Sequence, residues 1–113
     1  MVINYYTMEK NQRNKNGKQH GYWEEYYNFN GKLLYKGNYI DGERVGYWEF
    51  YYTNGKLMSK GNYINDKRQG YWEWYNDNGS LDFKGNFTND KRQGYWEYYY
   101  DNGKLYLIEY FVI

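Results

Sequence analysis

The chain is 113 residues long, with 15 Lys+Arg against 14 Asp+Glu, a formal net charge of +1. That balance argues against a polybasic nucleic-acid clamp and against an acidic mimic of nucleic acid, since both need a large field of one sign. Without Cys there is no disulfide, thiolate nucleophile or cysteine zinc knuckle.

At this length one domain is expected, spanning 1–113. Leu, Ile, Val and Phe total only 19 residues, a level typical of disordered chains. The 19 Tyr and 5 Trp overrule that reading, because large amphipathic rings bury much area with few aliphatics. Residues 1–20 are expected to hold an N-terminal capping strand, from about Ile3 to Gln12, and then a loop at Lys15-Asn16-Gly17-Lys18. Met1-Val2-Ile3-Asn4-Tyr5 has no signal-peptide core and no apolar run reaches the roughly 18 residues of a spanning helix, so a cytoplasmic location is expected.

From Gly21 onward the sequence repeats. Gly-Tyr-Trp-Glu recurs at Gly21, Gly46, Gly70 and Gly94, with spacings of 25, 24 and 24. Asn-Gly recurs at Asn30-Gly31, Asn54-Gly55, Asn78-Gly79 and Asn102-Gly103, and Lys-Gly-Asn at Lys36, Lys60 and Lys84. Aromatic runs on either side of Asn-Gly predict hairpins, and the absence of Ala with many aromatic residues disfavours helix. The expected fold is all-β: an elongated single sheet, an antiparallel hairpin meander of about nine strands.

A two-residue turn at Asn54-Gly55 sets Tyr52 opposite Leu57, Glu49 opposite Lys60 and Trp48 opposite Gly61. A three-residue loop near Phe29 restores the same register in the first hairpin. Polar loops centred on Gly42-Glu43 and Asp66-Lys67 put each inner Trp between two glycines and each inner Glu between two lysines. Alternation then assigns one face to Trp23, Trp48, Trp72 and Trp96, with Leu33, Leu57, Leu81, Leu105, Tyr39, Tyr63 and Phe87. The other face carries Glu24, Lys36, Glu49, Lys60, Glu73, Lys84 and Glu97, flanked by Tyr22, Tyr47, Tyr71, Tyr95 and by Tyr26, Tyr51, Tyr75, Tyr99. Residues 105–113 form a C-terminal capping strand that is apolar on both faces. An exposed edge of that kind either pairs with its copy in a homodimer or docks on a partner.

Gly-Tyr-Trp-Glu-x-Tyr-Tyr-x-x-Asn-Gly-Lys-Leu followed by Lys-Gly-Asn-Tyr resembles the MORN repeat (membrane occupation and recognition nexus) in its bacterial variant. The resemblance covers roughly residues 14–111. It implies an elongated hairpin array that binds other proteins or lipid head groups and has no chemistry of its own. The bacterial variant is associated with antitoxin and immunity proteins.

The residues themselves offer little catalysis. Each Glu of the central row lies between lysines, so cross-strand pairing accounts for it. His20 is the single histidine and is expected in a solvated loop, with no Cys or second His to complete a triad or a metal site. Ser59 and Ser80 have no base beside them in the repeat pattern. No enzyme activity, cofactor or metal is expected.

Two surfaces remain. Tyr47, Tyr51, Tyr71, Tyr75, Tyr95 and Tyr99 form a candidate partner-binding face, because tyrosine offers rigid area with a polar tip. Lys67, Arg68, Lys91 and Arg92 form a candidate phosphate-binding loop edge. The leading expectation is a non-enzymatic module that occludes another protein, a toxin or a nuclease, as an antitoxin, an immunity protein or a phage-type (anti-CRISPR) inhibitor would. The alternative is a lipid-surface or RNA-phosphate adaptor on the basic edge; nucleic acid and membrane rank behind protein as partners.

Overall fold

The computed structural model describes residues 9–112. Its strands are β1 (Gln12–Arg13), β2 (Gln19–Tyr26), β3 (Leu33–Ile40), β4 (Glu43–Tyr51), β5 (Leu57–Ile64), β6 (Lys67–Tyr75), β7 (Leu81–Thr88), β8 (Lys91–Tyr99) and β9 (Leu105–Phe111). They lie side by side in chain order in one antiparallel sheet, and the described residues contain no helix. The meander expected from the sequence is therefore the fold. The radius of gyration, 16.7 Å, exceeds the roughly 13 Å of a compact chain of this length, as a single-layer array requires. Most of the expected strand Ile3–Gln12 lies outside the described residues; of its described part, only Gln12 enters β1.

The turns differ from expectation in a compensating way. Asn54-Gly55 does not form a two-residue turn. Gly55 N donates to Tyr52 O at 3.0 Å and Tyr52 N to Lys56 O at 2.9 Å, which closes a three-residue loop. Only Gly55 of the pair takes a positive φ, 87°. The Asn54 side chain explains the choice: its Oδ1 accepts from Lys56 N at 2.9 Å, and its Nδ2 donates to Asp77 O of the next hairpin at 2.7 Å. The first hairpin likewise closes with a four-residue loop, Tyr27 N donating to Lys32 O, rather than three.

Each such loop puts the ladder one residue out of step, and a bulge restores it. Tyr51 pairs with Leu57 but Phe50 with Ser59, leaving Met58 extra. Leu34, Asp82 and Tyr106 hold the equivalent places. Beyond the bulge, Glu49–Lys60 and Trp48–Gly61 pair as expected.

Two polar loops turn one residue earlier than expected, at Asp41-Gly42 and Asn65-Asp66, and the third turns at the equivalent Asn89-Asp90. Both residues of each pair have positive φ, the mirror-image turn that matches strand twist. Here too a bulge corrects the register: Asn38 pairs with Val45, whereas Lys36 pairs with Glu49. Gly46, at φ 69°, lies in that bulge.

The Met58-type bulges also move side chains between faces. Leu33, Leu57, Leu81 and Leu105 pair with Tyr26, Tyr51, Tyr75 and Tyr99, so they belong to the tyrosine face, not the tryptophan face expected for them. The buried cluster is aromatic throughout: Trp23, Tyr39, Trp48, Tyr63, Trp72, Phe87 and Trp96. Each inner indole lies on the glycine of the preceding strand. A Cβ on Gly37, Gly61 or Gly85 would stand 2.1–2.2 Å from Trp48, Trp72 or Trp96, closer than atoms can come. The ring nitrogens donate to the neighbouring carbonyls of Asn38, Asn62 and Asn86 at 3.0–3.2 Å. Glycine therefore makes the seat, and the exposed backbone beside it supplies the acceptor.

Candidate protein-binding face

Strand alternation places the glutamates on the side of the sheet opposite the indoles, with tyrosines two residues before and after each one. The ladder pairs Glu49 with Lys36 and with Lys60, and Glu73 with Lys60 and with Lys84. Ion pairs close on one side only, at 3.1 Å for Lys36–Glu49 and 3.5 Å for Lys60–Glu73.

The tyrosines finish the network. Tyr47 and Tyr51 hydroxyls both donate to Glu49, at 2.9 and 2.6 Å, and Tyr71 and Tyr75 donate to Glu73, at 3.2 and 3.0 Å. Tyr99 donates to Glu97 and Tyr26 to Glu24. Each of these six rings is held at its tip by a carboxylate, so this part of the face is fixed before anything binds to it. Burial opposes ionisation of Glu49, but the bonds from Tyr51, Tyr47 and Lys36 outweigh it and bring its carboxyl below the ordinary value. Burial, and then the bond to Glu49, push Tyr47 up to about 12. Tyr99 is likewise raised to about 12, by burial and by Glu97, and Tyr51, Tyr71 and Tyr75 are raised for the same reasons.

Of the six expected contact residues, Tyr47, Tyr71 and Tyr95 are the open ones, at 49, 46 and 68 % exposure. Tyr51, Tyr75 and Tyr99 are half-buried. Tyr95 differs from its counterparts in its surroundings: its ring lies 4.7 Å from that of Tyr110 in the last strand. Between the first two repeats the face opens into a groove of about 280 Å³ lined by Tyr22, Lys36, Gly37, Asn38, Tyr47 and Glu49.

The basic edge is organised differently. Arg44 Nε bonds Asp66 and Arg68 Nε bonds Asp90, each at 2.5 Å, and each guanidinium lies 4.2 Å over a ring, Tyr63 or Phe87. These arginines clamp one polar turn to the next, and the hydrogen bond each one donates lowers the pKa of Asp66 or Asp90. Arg92 lies 4.7 Å over Trp96 and donates to Tyr98 Oη at 2.8 Å. Of the four expected phosphate ligands, Lys67 and Lys91 extend into solvent, whereas Arg68 and Arg92 are engaged with the sheet. His20 belongs to β2, not to a loop, and its Nδ1 accepts from Asp41 N at 3.3 Å.

A second row of rings on the tryptophan side was not foreseen from the sequence. Tyr35, Phe50, Trp74, Phe83 and Tyr98 pack against the buried cluster while keeping part of their surface open. Trp74 and Phe83 stack at 4.7 Å and 17°. The signal was present: Phe50, Trp74 and Tyr98 each follow a core Trp by two residues, so strand alternation returns them to its face.

A comparison with curated proteins finds none that matches. The family model described as "MORN repeat variant" matches residues 44–65, 68–89 and 92–112, more than half of the chain. The matched stretches begin two residues before Gly46, Gly70 and Gly94 and leave out the repeat that opens at Gly21. With nine strands in one open meander and three matched repeats, the chain belongs to the MORN repeat variant family, a non-catalytic type of repeat that binds proteins or membranes.

Proposed function

We propose that this chain is a non-enzymatic protein-binding module that acts by covering its partner, with Tyr47, Tyr51, Tyr71 and Tyr75 at the centre of the contact and Tyr95 and Tyr99 extending it. The observation that carries this reading is the double bond from Tyr47 and Tyr51 to Glu49, repeated at Glu73. A surface whose rings are already fixed loses little side-chain entropy on binding, and aromatic residues near the centre of a contact dominate its energy. A partner toxin or nuclease in the cytoplasm, held off its substrate by occlusion, fits a small module with no catalytic groups of its own. Antitoxin, immunity protein and phage-type inhibitor are the three forms this role would take.

The test is affinity capture from the native host, followed by titration of the captured partner with variants. Alanine at Tyr47 and Tyr71 should weaken binding at least tenfold each. Charge reversal at Lys67 and Lys91 should change it less than threefold. Those two lysines are the fair probe of the basic edge, because reversing Arg68 also breaks its bond to Asp90. If lysine reversal abolishes binding and the tyrosine changes do not, a phosphate-binding edge replaces this reading.

A further inference from the structure

No strand among the described residues pairs with the outer edge of β9. Leu105, Leu107, Ile108 and Tyr110 are 43–60 % exposed, and Glu109 is the strand's one charged residue. A bare apolar edge without Lys or Pro is a template for another strand.

A further repeat of the same kind does not fit that edge. In β3, β5 and β7 the residue at this place is Gly37, Gly61 or Gly85, on which the next indole lies. In β9 it is Glu109, paired with Trp96. Its Cβ occupies the position from which the glycine seat excludes any atom.

Nor does the other margin of a second copy. There β1 is only two residues long, and the Asn11 side chain already serves the next stretch of β2: Glu24 N donates to its Oδ1 at 2.8 Å and its Nδ2 donates to Glu24 O at 2.9 Å. Among the described residues, head-to-tail growth meets an edge whose Glu24 backbone groups Asn11 has already taken.

We propose that β9 pairs antiparallel with β9 of a second copy, about a two-fold axis normal to the sheet. This isologous contact closes on itself and gives a dimer, not a fibre. With that axis, directly opposed residues must share a face, so the axis passes through one residue. Placed at Glu109 it would oppose two carboxylates. Placed at Ile108, the midpoint of Leu105–Phe111, it pairs the whole strand. Ile108 therefore faces its own copy.

The same axis keeps both tyrosine faces on one side of a continuous sheet. Two patches centred on β5 would then lie nine strand spacings apart, about 43 Å along the sheet. The dimer would suit a partner that offers its epitope twice, and avidity would follow. The pairing itself does not depend on that partner.

The chain has no native Cys, so Ile108→Cys introduces a single thiol. Under mild oxidation it should give a covalent dimer, while Ile64→Cys, 58 % exposed but inside the array, should not. Light scattering should give twice the chain mass for the wild type and the chain mass for Ile108→Lys with Tyr110→Lys. If the lysine variant does not fold, the two cysteine variants still decide. A monomeric wild type at high micromolar concentration, or cross-linking no faster at position 108 than at 64, overturns the proposal. Neither readout involves the partner, so failure here leaves the tyrosine-face reading untouched.

Discussion

Trp23 and Trp96 hold equivalent places in the first and last repeats, and their surroundings differ. Trp96 is fully buried on Gly85, with its nitrogen on Asn86 O and Arg92 over its ring. Trp23 has no lysine-glycine-asparagine strand before it. Its nitrogen reaches Gln12 O at 3.1 Å, Arg13 covers it at 5.2 Å, and it remains 7 % exposed. The residues ahead of β2 imitate a missing repeat with side chains: Lys10 pairs with Glu24 at 3.4 Å where an inner repeat uses the lysine of its motif, and Asn11 supplies a donor and an acceptor to the ladder. At the other margin no described residue pairs with the outer edge of β9. A repeat array needs its ends finished, because each unit buries its faces only against neighbours. Here one end is finished within the described chain and the other by a second molecule, on the proposal above.

The two margins differ most at the indoles. Trp72→Ala and Trp96→Ala should each cost about 3–5 kcal/mol in chemical denaturation, as loss of a fully buried large ring does. Trp23→Ala should cost clearly less, since no glycine seat lies against its ring and Arg13 covers it instead. Equal losses at positions 23 and 96 would mean that the glycine seat contributes nothing. Gly61→Val should cost about 2–4 kcal/mol, because the added carbons must displace the indole of Trp72. Combined with Trp72→Ala its effect should shrink, and strict additivity would show that the two residues are not in contact.

A smaller effect probes the finished margin. Asn11→Ala removes both amide bonds to Glu24 and should cost about 1 kcal/mol, with exchange of the Glu24 amide accelerated. Smaller still, and confined to the interior of the array, are the titrations. Glu49, Asp66 and Asp90 have lowered values, so the stability they contribute is present above the ordinary carboxylate range near 4 and fades as pH falls below it. Tyr47 and Tyr99 are raised to about 12, so their contribution is complete below about pH 10 and is lost as pH rises through 12. Thermal melts across pH should show both flanks, and Glu49→Gln should blunt each of them.

The sequence already contained the fold because four turns and three spacings had to agree on one ladder. Glu49 against Lys60 and Trp72 over Gly61 follow from that agreement, and both hold. The loops are less legible, because a turn one residue too long and a compensating bulge leave the distant register unchanged. Met58 and Asp82 give no compositional sign of being the extra residues. Hence the leucines on the turn side of each bulge lie on the face opposite to the one that simple alternation gives them. The rings of the candidate site were legible as a row, whereas the bonds from their hydroxyls to Glu49 and Glu73 depend on rotamers that spacing does not encode. The engagement of Arg68 by Asp90 was hidden for a similar reason: the two lie 22 residues apart and meet only once neighbouring turns stack.

Amide hydrogen exchange, followed residue by residue at low and high protein concentration, tests the contrast between the margins most directly. The account predicts that protection around Gln12 and Glu24 is the same at both concentrations, while alternate amides of Leu105–Phe111 gain protection as concentration rises. Concentration-independent exchange along Leu105–Phe111 would contradict it.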